Sequence, residues 1–176
     1  RTFVPVQLGD KEREGYDQCS QDWNYQYNEY MNFGGMPQGF VLNMLTDLRH
    51  KCGMMKTKAA AEWVKNYHTA TGKPLVVYCH HRDVLKDLRD MVEGYDIHTA
   101  TISGDVLSQE RDRIITAFQS GHVPVLICNT IAAKEGITLT EADTVLFIER
   151  EWVPSWEEQA EDRVYRDENR EAALVT

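Results

Sequence analysis

The stretch Pro74-Leu-Val-Val-Tyr-Cys-His-His-Arg-Asp83 joins an apolar run to a polar turn, and it decides the fold class. The run 75–79 has the length and composition of a buried strand. Apolar residues then recur at helical spacing up to Gly94: Val84, Leu85, Leu88, Met91 and Val92. A fully apolar strand followed by an amphipathic helix is the repeating unit of a parallel sheet that is covered on both faces.

The same strand–helix unit recurs along the chain. We predict further strands at 97–103, 123–128 and 144–149, because each is a short apolar run. Ser108 can cap a helix that contains Ile114, Ile115 and Phe118, and Pro154 precedes another helix with acids in its first turn. The sequence therefore predicts an α/β fold with a mostly parallel central sheet.

The segment before this pattern is rich in aromatic residues. Six of them crowd together before Gly34-Gly35 and Pro37: Tyr16, Trp23, Tyr25, Tyr27, Tyr30 and Phe33. Aromatics at this density either stack on bases or pin a segment onto a neighbouring core, and we expect pinning. Two helical patterns follow, one before Gly53 and one before Gly72.

Composition limits the class of protein. The net charge of −9 opposes non-specific adhesion to nucleic acid over the whole surface but leaves room for a local track. Four cysteines without CxxC spacing suit a reducing compartment, and no apolar run has the length of a membrane span or the form of a signal peptide. We expect an intracellular protein that is neither secreted nor membrane-bound. Because the chain starts at Arg1, we expect it to be part of a longer one.

Polar or small residues follow each strand-like run directly. They begin at His80, Ser103, Asn129 and Arg150. Ligands of open parallel sheets bind beyond the carboxyl ends of the strands, so these loops predict one working surface. Cys79-His80-His81 does not predict a metal site, because neighbouring residues on an extended strand point to opposite faces. The same objection applies to a Cys–His nucleophilic pair.

The segment Gln159-Ala-Glu-Asp-Arg-Val-Tyr-Arg166 places Gln159, Arg163 and Arg166 on one face of a helix. Two such guanidiniums can neutralise charge on a phosphoryl group during transfer. A solvated helix with an Asp162–Arg166 pair is the alternative interpretation. The sequence contains neither a P-loop nor a G-x-G-x-x-G motif, so we expect any nucleotide to be held by another domain.

From about residue 40 to Arg166 the sequence resembles the second RecA-like lobe of superfamily 2 helicase-like ATPases. More narrowly, it is similar to the Swi/Snf-type DNA translocases, and closest to their annealing-helicase branch. The order and spacing of five motifs carry the resemblance: 76–84; Ile102-Ser-Gly104 with Glu110-Arg111 and Phe118; 129–139; Ala142-Asp143 with Trp152 and Pro154; and 159–166.

The resemblance implies a RecA-like three-layer αβα lobe over 39–176, preceded by a connector over 1–38. It implies that Arg163 and Arg166 are arginine fingers that face the γ-phosphate of ATP and that Gln159 helps to position them. The residues implied beside the nucleotide are Glu135 and Gly136. Those implied at the DNA backbone are Thr130, Ser103, Gly104 and Trp152, with His81 and Arg82 as further candidates.

The implied partners follow from the same resemblance. An absent first RecA-like lobe would hold ATP and Mg²⁺, the isolated chain would be inactive, and the DNA would be double-stranded, in a nucleus or a prokaryotic or phage-infected cytoplasm. Two departures stand out: Ser103-Gly104 replaces the usual D-G pair, and Asp167-Glu-Asn169 replaces the Gly-Gln pair expected after Arg166. A non-catalytic α/β interaction domain and an RNA helicase lobe remain the alternatives.

Overall fold

A computed structural model describes residues 3–130, 138–151, 153–164 and 173–175. Its sheet has the order β2-β3-β1-β4-β5, and every neighbouring pair is parallel. The strands are β1 (Leu75–Cys79), β2 (Thr99–Ile102), β3 (Val125–Asn129), β4 (Thr144–Phe147) and β5 (Ala173–Val175). The predicted fold class and the positions of the first four strands are confirmed.

Helices cover both faces of the sheet. On one face, α2 (Phe40–Thr71) and α3 (Arg82–Glu93) pack against alternate strand residues. On the other face, α4 (Ser108–Gln119) and α5 (Pro154–Asp162) bury Phe118 and Ala160 against the sheet. Strands β1 and β3 are buried at all five positions, as is typical of a sheet between two helical layers. In register, Leu75 lies beside Val125 and Thr144, so the strands end along a common edge.

The prediction of two helices between residues 40 and 71 was wrong. The segment forms one helix of 32 residues, about 48 Å long, that runs through Gly53. A Cβ atom at Gly53 would lie 2.8 Å from the carboxyl carbon of Glu149, so this glycine makes room for a neighbouring side chain and does not end the helix. Gly72 does end it, with φ of +63° and its N–H donated to the carbonyl oxygen of His68.

The aromatic segment forms α1 (Asp10–Phe33), which packs beside the first half of α2. The rings of Trp23 and Tyr30 meet the edge of Phe40, and Trp23 Nε1 donates a hydrogen bond to Asp47 at 2.8 Å. The pinning interpretation is therefore confirmed for these two rings. Other aromatics of α1, among them Tyr25 and Phe33, are exposed.

The four cysteines are all free, and two of them lie in the core. Cys79 and Cys128 are fully buried, and burial raises the pKa of the Cys128 thiol to about 12. Both therefore act as small apolar side chains. Among the described helices, none combines the length and the apolar composition needed to cross a lipid bilayer.

Candidate functional site

The loops that follow β1 and β3 are joined by hydrogen bonds at the carboxyl edge of the sheet. Thr130 donates both its backbone N–H and its hydroxyl to the carbonyl oxygen of Cys79, at 2.9 and 3.1 Å. The Asn129 side-chain amide donates to the carbonyl oxygen of His80 at 2.5 Å. The last residue of β3 and the one after it therefore fix the path of the chain where β1 ends.

Glu149 joins the loop after β1 to the loop after β4. Its Oε2 accepts the backbone N–H groups of His80 and His81 at 2.8 and 2.9 Å, and its Oε1 lies 2.5 Å from Nδ1 of His81. Only 2% of the residue is exposed. Burial of a carboxylate is costly unless hydrogen bonds compensate it. Here they do, and the N-terminus of α3, which begins just after His81, adds a favourable dipole.

Two further carboxylates are buried nearby, Glu151 in the same loop and Glu157 in the first turn of α5. Glu151 Oε1 lies 2.9 Å from Nδ1 of His80 and 3.3 Å from Nη2 of Arg49, which comes from α2. Glu157 accepts hydrogen bonds from the guanidinium of Arg150 and from the backbone N–H of Glu151. Through these three carboxylates, the segment after β4 and the start of α5 are bonded to the end of β1, to α2 and to each other.

Sequence reasoning placed Glu157 in the first turn of a helix, which is confirmed, but it missed the partners of Glu149 and Glu151. Their signal was present, because acidic residues stand directly after an apolar strand at 149 and 151. Acidic side chains are almost never fully buried unless they are paired. Glutamates in that position therefore indicate partners, but the sequence does not show that the partners lie near residue 80.

The loop after β2 reaches the same edge through a surface ion pair. Arg82 Nη2 lies 3.1 Å from Oδ1 of Asp105, and both side chains are about two-thirds exposed. The Asp105 backbone N–H and the Ser103 hydroxyl, with the charge of Arg82, lower the pKa of the Asp105 carboxyl. A Cβ atom at Gly104 would lie 3.6 Å from Arg82 Nη2, in ordinary contact.

Helix α5 carries Gln159 and leads into Arg163. Ala160 and Val164 are buried in the core, whereas Gln159 is exposed and Arg163 is half-buried. The helix ends at Asp162, and the carbonyl oxygen of Arg163 accepts the N–H of Leu139 at 2.9 Å. Arg163 is the C-cap residue of α5 and keeps helical dihedral angles, whereas Arg166 lies outside the described residues, so the common helical face from 159 to 166 stays a prediction.

The charge of Arg163 also acts on β1. Burial raises the pKa of the Tyr78 hydroxyl well above its usual range, and the positive charge of Arg163 opposes that rise. Arg163 therefore lies close enough to the middle strand of the sheet for its charge to be felt there.

The structure brings several of the predicted site residues to one edge: Ser103, Gly104, His81 and Arg82. Thr130 also lies at this edge, but it is 2% exposed and its hydroxyl donates to the carbonyl oxygen of Cys79. Its contact with DNA therefore stays a prediction. Glu135, Gly136, Trp152 and Arg166 lie outside the described residues.

The class of protein follows from a family comparison. The model of the family described as "Helicase conserved C-terminal domain" matches residues 56–168, and the chain belongs to this family. This match agrees with the three-layer fold and with the joined loops at the carboxyl edge.

More particularly, the chain is similar to proteins of the SWI/SNF type. It is 31% identical over 113 residues to the SWI/SNF-related matrix-associated actin-dependent regulator of chromatin subfamily A-like protein 1 of Drosophila melanogaster, covering 64% of this chain and 15% of the relative. It is 26% identical over 167 residues to the human DNA annealing helicase and endonuclease ZRANB3, covering 94% of this chain and 15% of the relative. The chain thus spans about 15% of the length of these relatives.

A solved structure shares the fold. The Sulfolobus solfataricus SWI2/SNF2 ATPase core in complex with dsDNA superposes with a TM-score of 0.80 and 21% identity, covering 99% of this chain and 39% of that one. The resemblance to the Swi/Snf-type second lobe and the RecA-like fold class are confirmed.

Proposed function

We propose that this chain is the second motor lobe of an ATP-dependent DNA translocase. It would supply arginine side chains to ATP that is held by a first RecA-like lobe, and it would contact the DNA backbone along its carboxyl edge. The observation that carries the proposal is the joining of the strand-end loops at one edge of a helicase C-terminal domain.

Arg163 and Arg166 are assigned to the chemical step. As the terminal phosphoryl group leaves ADP, guanidinium donors stabilise the charge spread over its oxygens. In the best-studied case, where the arginine comes from a separate protein, such a residue contributes about 10³–10⁵ in rate. The half-burial of Arg163 and its bond to Leu139 support a fixed position for its backbone. Gln159, one helical turn earlier, would help to orient it, and Glu135 and Gly136 would lie beside the nucleotide.

Mg²⁺ is assigned to the first lobe because the buried carboxylates at this edge do not fit it. Glu149, Glu151 and Glu157 each accept hydrogen bonds from backbone amides, histidine rings or guanidiniums. Magnesium requires carboxylate oxygens that are open to it and to its water shell. The donors of this lobe suit the phosphate oxygens of ATP instead.

The DNA would run along the loops that follow β2, β1 and β3. Ser103, Gly104 and His81 lie at this edge, and we assign Thr130 and Trp152 to the same track. Contacts to phosphate and sugar carry little sequence information and weaken with salt. Because the negative charge of the chain as a whole repels DNA, this local track should be the main source of affinity.

The test uses the full-length polypeptide that contains both lobes. Arg163→Ala and Arg166→Ala should each lower DNA-stimulated ATP turnover by at least about 10³-fold while ATP binding survives. Arg113→Ala is the matched control, because this exposed arginine of α4 pairs only weakly with Glu110. Near-normal turnover in both finger variants would refute the assignment. The isolated 176-residue chain should not hydrolyse ATP.

An RNA helicase lobe is the competing function. Duplex DNA should stimulate the full-length ATPase more than single-stranded DNA or RNA does. Stronger stimulation by RNA would favour the alternative. The names of the relatives, which refer to chromatin and to DNA annealing, support a location with DNA in the cell.

A further inference from the structure

His80 and His81 each have a buried carboxylate on the same ring nitrogen. Nδ1 of His81 lies 2.5 Å from Glu149, and Nδ1 of His80 lies 2.9 Å from Glu151. The carboxylate side chains are 1% and 0% exposed, whereas the imidazoles are 19% and 22% exposed. The two neighbouring histidines at the predicted DNA track are therefore bonded to buried carboxylates through Nδ1, and their rings are partly exposed to solvent.

A carboxylate on Nδ1 decides where the histidine proton lies. The proton stays on Nδ1, the ring is held in one orientation, and Nε2 becomes the nitrogen that is free to interact. Among the described residues, no hydrogen bond uses Nε2 of either ring. With a second proton on Nε2, such a ring is a cation that donates to an anionic oxygen while Nδ1 still donates to its carboxylate.

Resting on the function proposed above, we infer that Glu149 is a positioning residue for the DNA contact of this lobe. It fixes the turn 80–81 through two backbone N–H groups, and it accepts from Nδ1 of the His81 ring, so that the ring with a second proton can donate Nε2–H to a phosphate oxygen. The titratable and charged groups near the two rings come from α2, α3 and the loop after β4: Arg49, His50, Asp83, Glu149 and Glu151.

The stacking of His81 strengthens the argument that its ring is held rigidly. The His50 ring lies 4.6 Å from the His81 ring, centroid to centroid, and Nε2 of His50 is bonded to Asp83 at 2.5 Å. The ring of His81 is therefore bound at one nitrogen and packed on one side. The orientation of Nε2 is therefore set by Glu149 and by His50 of α2.

Glu149→Gln separates positioning of the ring from capping of the turn. The amide oxygen of glutamine can still accept the N–H groups of His80 and His81. Its NH₂ group, however, then faces Nδ1 of His81, so Nδ1 must accept and the ring is neutral, with its one proton on Nε2. Nε2–H can still donate to a phosphate oxygen, but only as a neutral donor, so the contact loses its charge assistance while the backbone is retained.

The experiment measures the affinity of the full-length protein for a short DNA duplex, without nucleotide, by fluorescence anisotropy at several salt concentrations. Glu149→Gln and His81→Ala should each weaken binding about 5- to 10-fold, and the double variant should be no weaker than His81→Ala alone. The slope of log affinity against log salt should fall by about 1 in each variant, as for the loss of one phosphate contact. Glu158→Gln, an exposed acid of α5, is the charge control and should bind at least as tightly as wild type.

Each other outcome counts against the inference. Wild-type affinity in Glu149→Gln, or losses that multiply in the double variant, would overturn it while leaving the proposed function intact. Failure of the wild-type protein itself to bind duplex DNA would remove both. Should Glu149→Gln not fold, as judged by circular dichroism, the test passes to His81→Ala, and unchanged DNA binding in that variant overturns the positioning role.

Discussion

Replacement of Gly53 by alanine tests how closely α2 packs on Glu149. The added Cβ atom would lie 2.8 Å from Cδ and Oε1 of Glu149 and 3.0 Å from Cγ. These distances are too short for carbon and oxygen atoms that are not bonded. Since the carboxylate is held by two backbone N–H groups and by His81, it cannot move without loss of those hydrogen bonds.

The size of the effect follows from three contributions, one stabilising and two destabilising. Glycine-to-alanine in the interior of a helix usually stabilises by about 0.5–1 kcal/mol. Overpacking costs about 1–3 kcal/mol, and a lost hydrogen bond to a charged group costs about 1.5–3 kcal/mol. With one such bond lost, we expect Gly53→Ala to lower the free energy of unfolding by about 1.5–5.5 kcal/mol. For a chain of this size, that corresponds to a fall in Tm of roughly 3–22 °C.

The assay is urea unfolding at pH 7, followed by circular dichroism. The matched control is Gly15→Ala, because Gly15 also lies inside a helix, is exposed, and has no neighbour within 4 Å of an added Cβ atom. The control should be as stable as wild type or more stable by up to about 1 kcal/mol. If Gly53→Ala were also as stable as wild type, the close contact between α2 and Glu149 would be refuted.

Three further perturbations test other parts of the structure. Burial tends to raise the pKa of Asp143, but hydrogen bonds, that of Lys73 first among them, hold this pKa below its usual value. The stability that the carboxylate contributes is therefore present above about pH 4 and lost at lower pH. Asp143→Asn should lower the free energy of unfolding at about pH 7 and flatten its pH dependence in acid unfolding. Trp23→Ala should speed amide exchange in α1 but not in β1, since Trp23 donates a hydrogen bond from α1 to Asp47 of α2; equal acceleration in both elements would contradict this. In the native protein a thiol reagent should leave Cys79 and Cys128 unmodified, and rapid labelling of either would contradict their burial.

The sheet could be predicted because its strands are short, apolar and bounded by polar residues. The run 75–79 has only one stable environment, the middle of a covered parallel sheet, so composition and length decide its structure. The position of the working edge follows from the same rule, because the ends of parallel strands meet. That His81, Ser103 and Gly104 lie together there was therefore accessible from sequence.

The error at Gly53 and the missed glutamates have one cause. A glycine inside a helical pattern predicts a break, unless another chain segment occupies the space where its side chain would be. Here the space is occupied by the side chain of Glu149, which is 96 residues away in the sequence, and no local pattern indicates that contact. Likewise, the partners of Glu149 and Glu151 are histidines from a different strand end. Contacts that are distant in sequence are set by the assembled fold.

Helix α5 bears on one more expectation. Helical spacing places 159, 163 and 166 on one face; α5 carries Gln159 and has Arg163 as its C-cap residue, whereas Arg166 lies outside the described residues. The assignment of the arginines as fingers therefore depends on the motif and its chemistry.

The most direct test of the central claim is a structure of the full-length protein with duplex DNA and a transition-state analogue of ATP hydrolysis. The account predicts that the guanidinium of Arg163 or Arg166 donates to the group that mimics the transferring phosphoryl, at about 2.7–3.1 Å. If both guanidiniums instead lie within their own lobe, away from the nucleotide, the proposed role of this chain in ATP hydrolysis is contradicted.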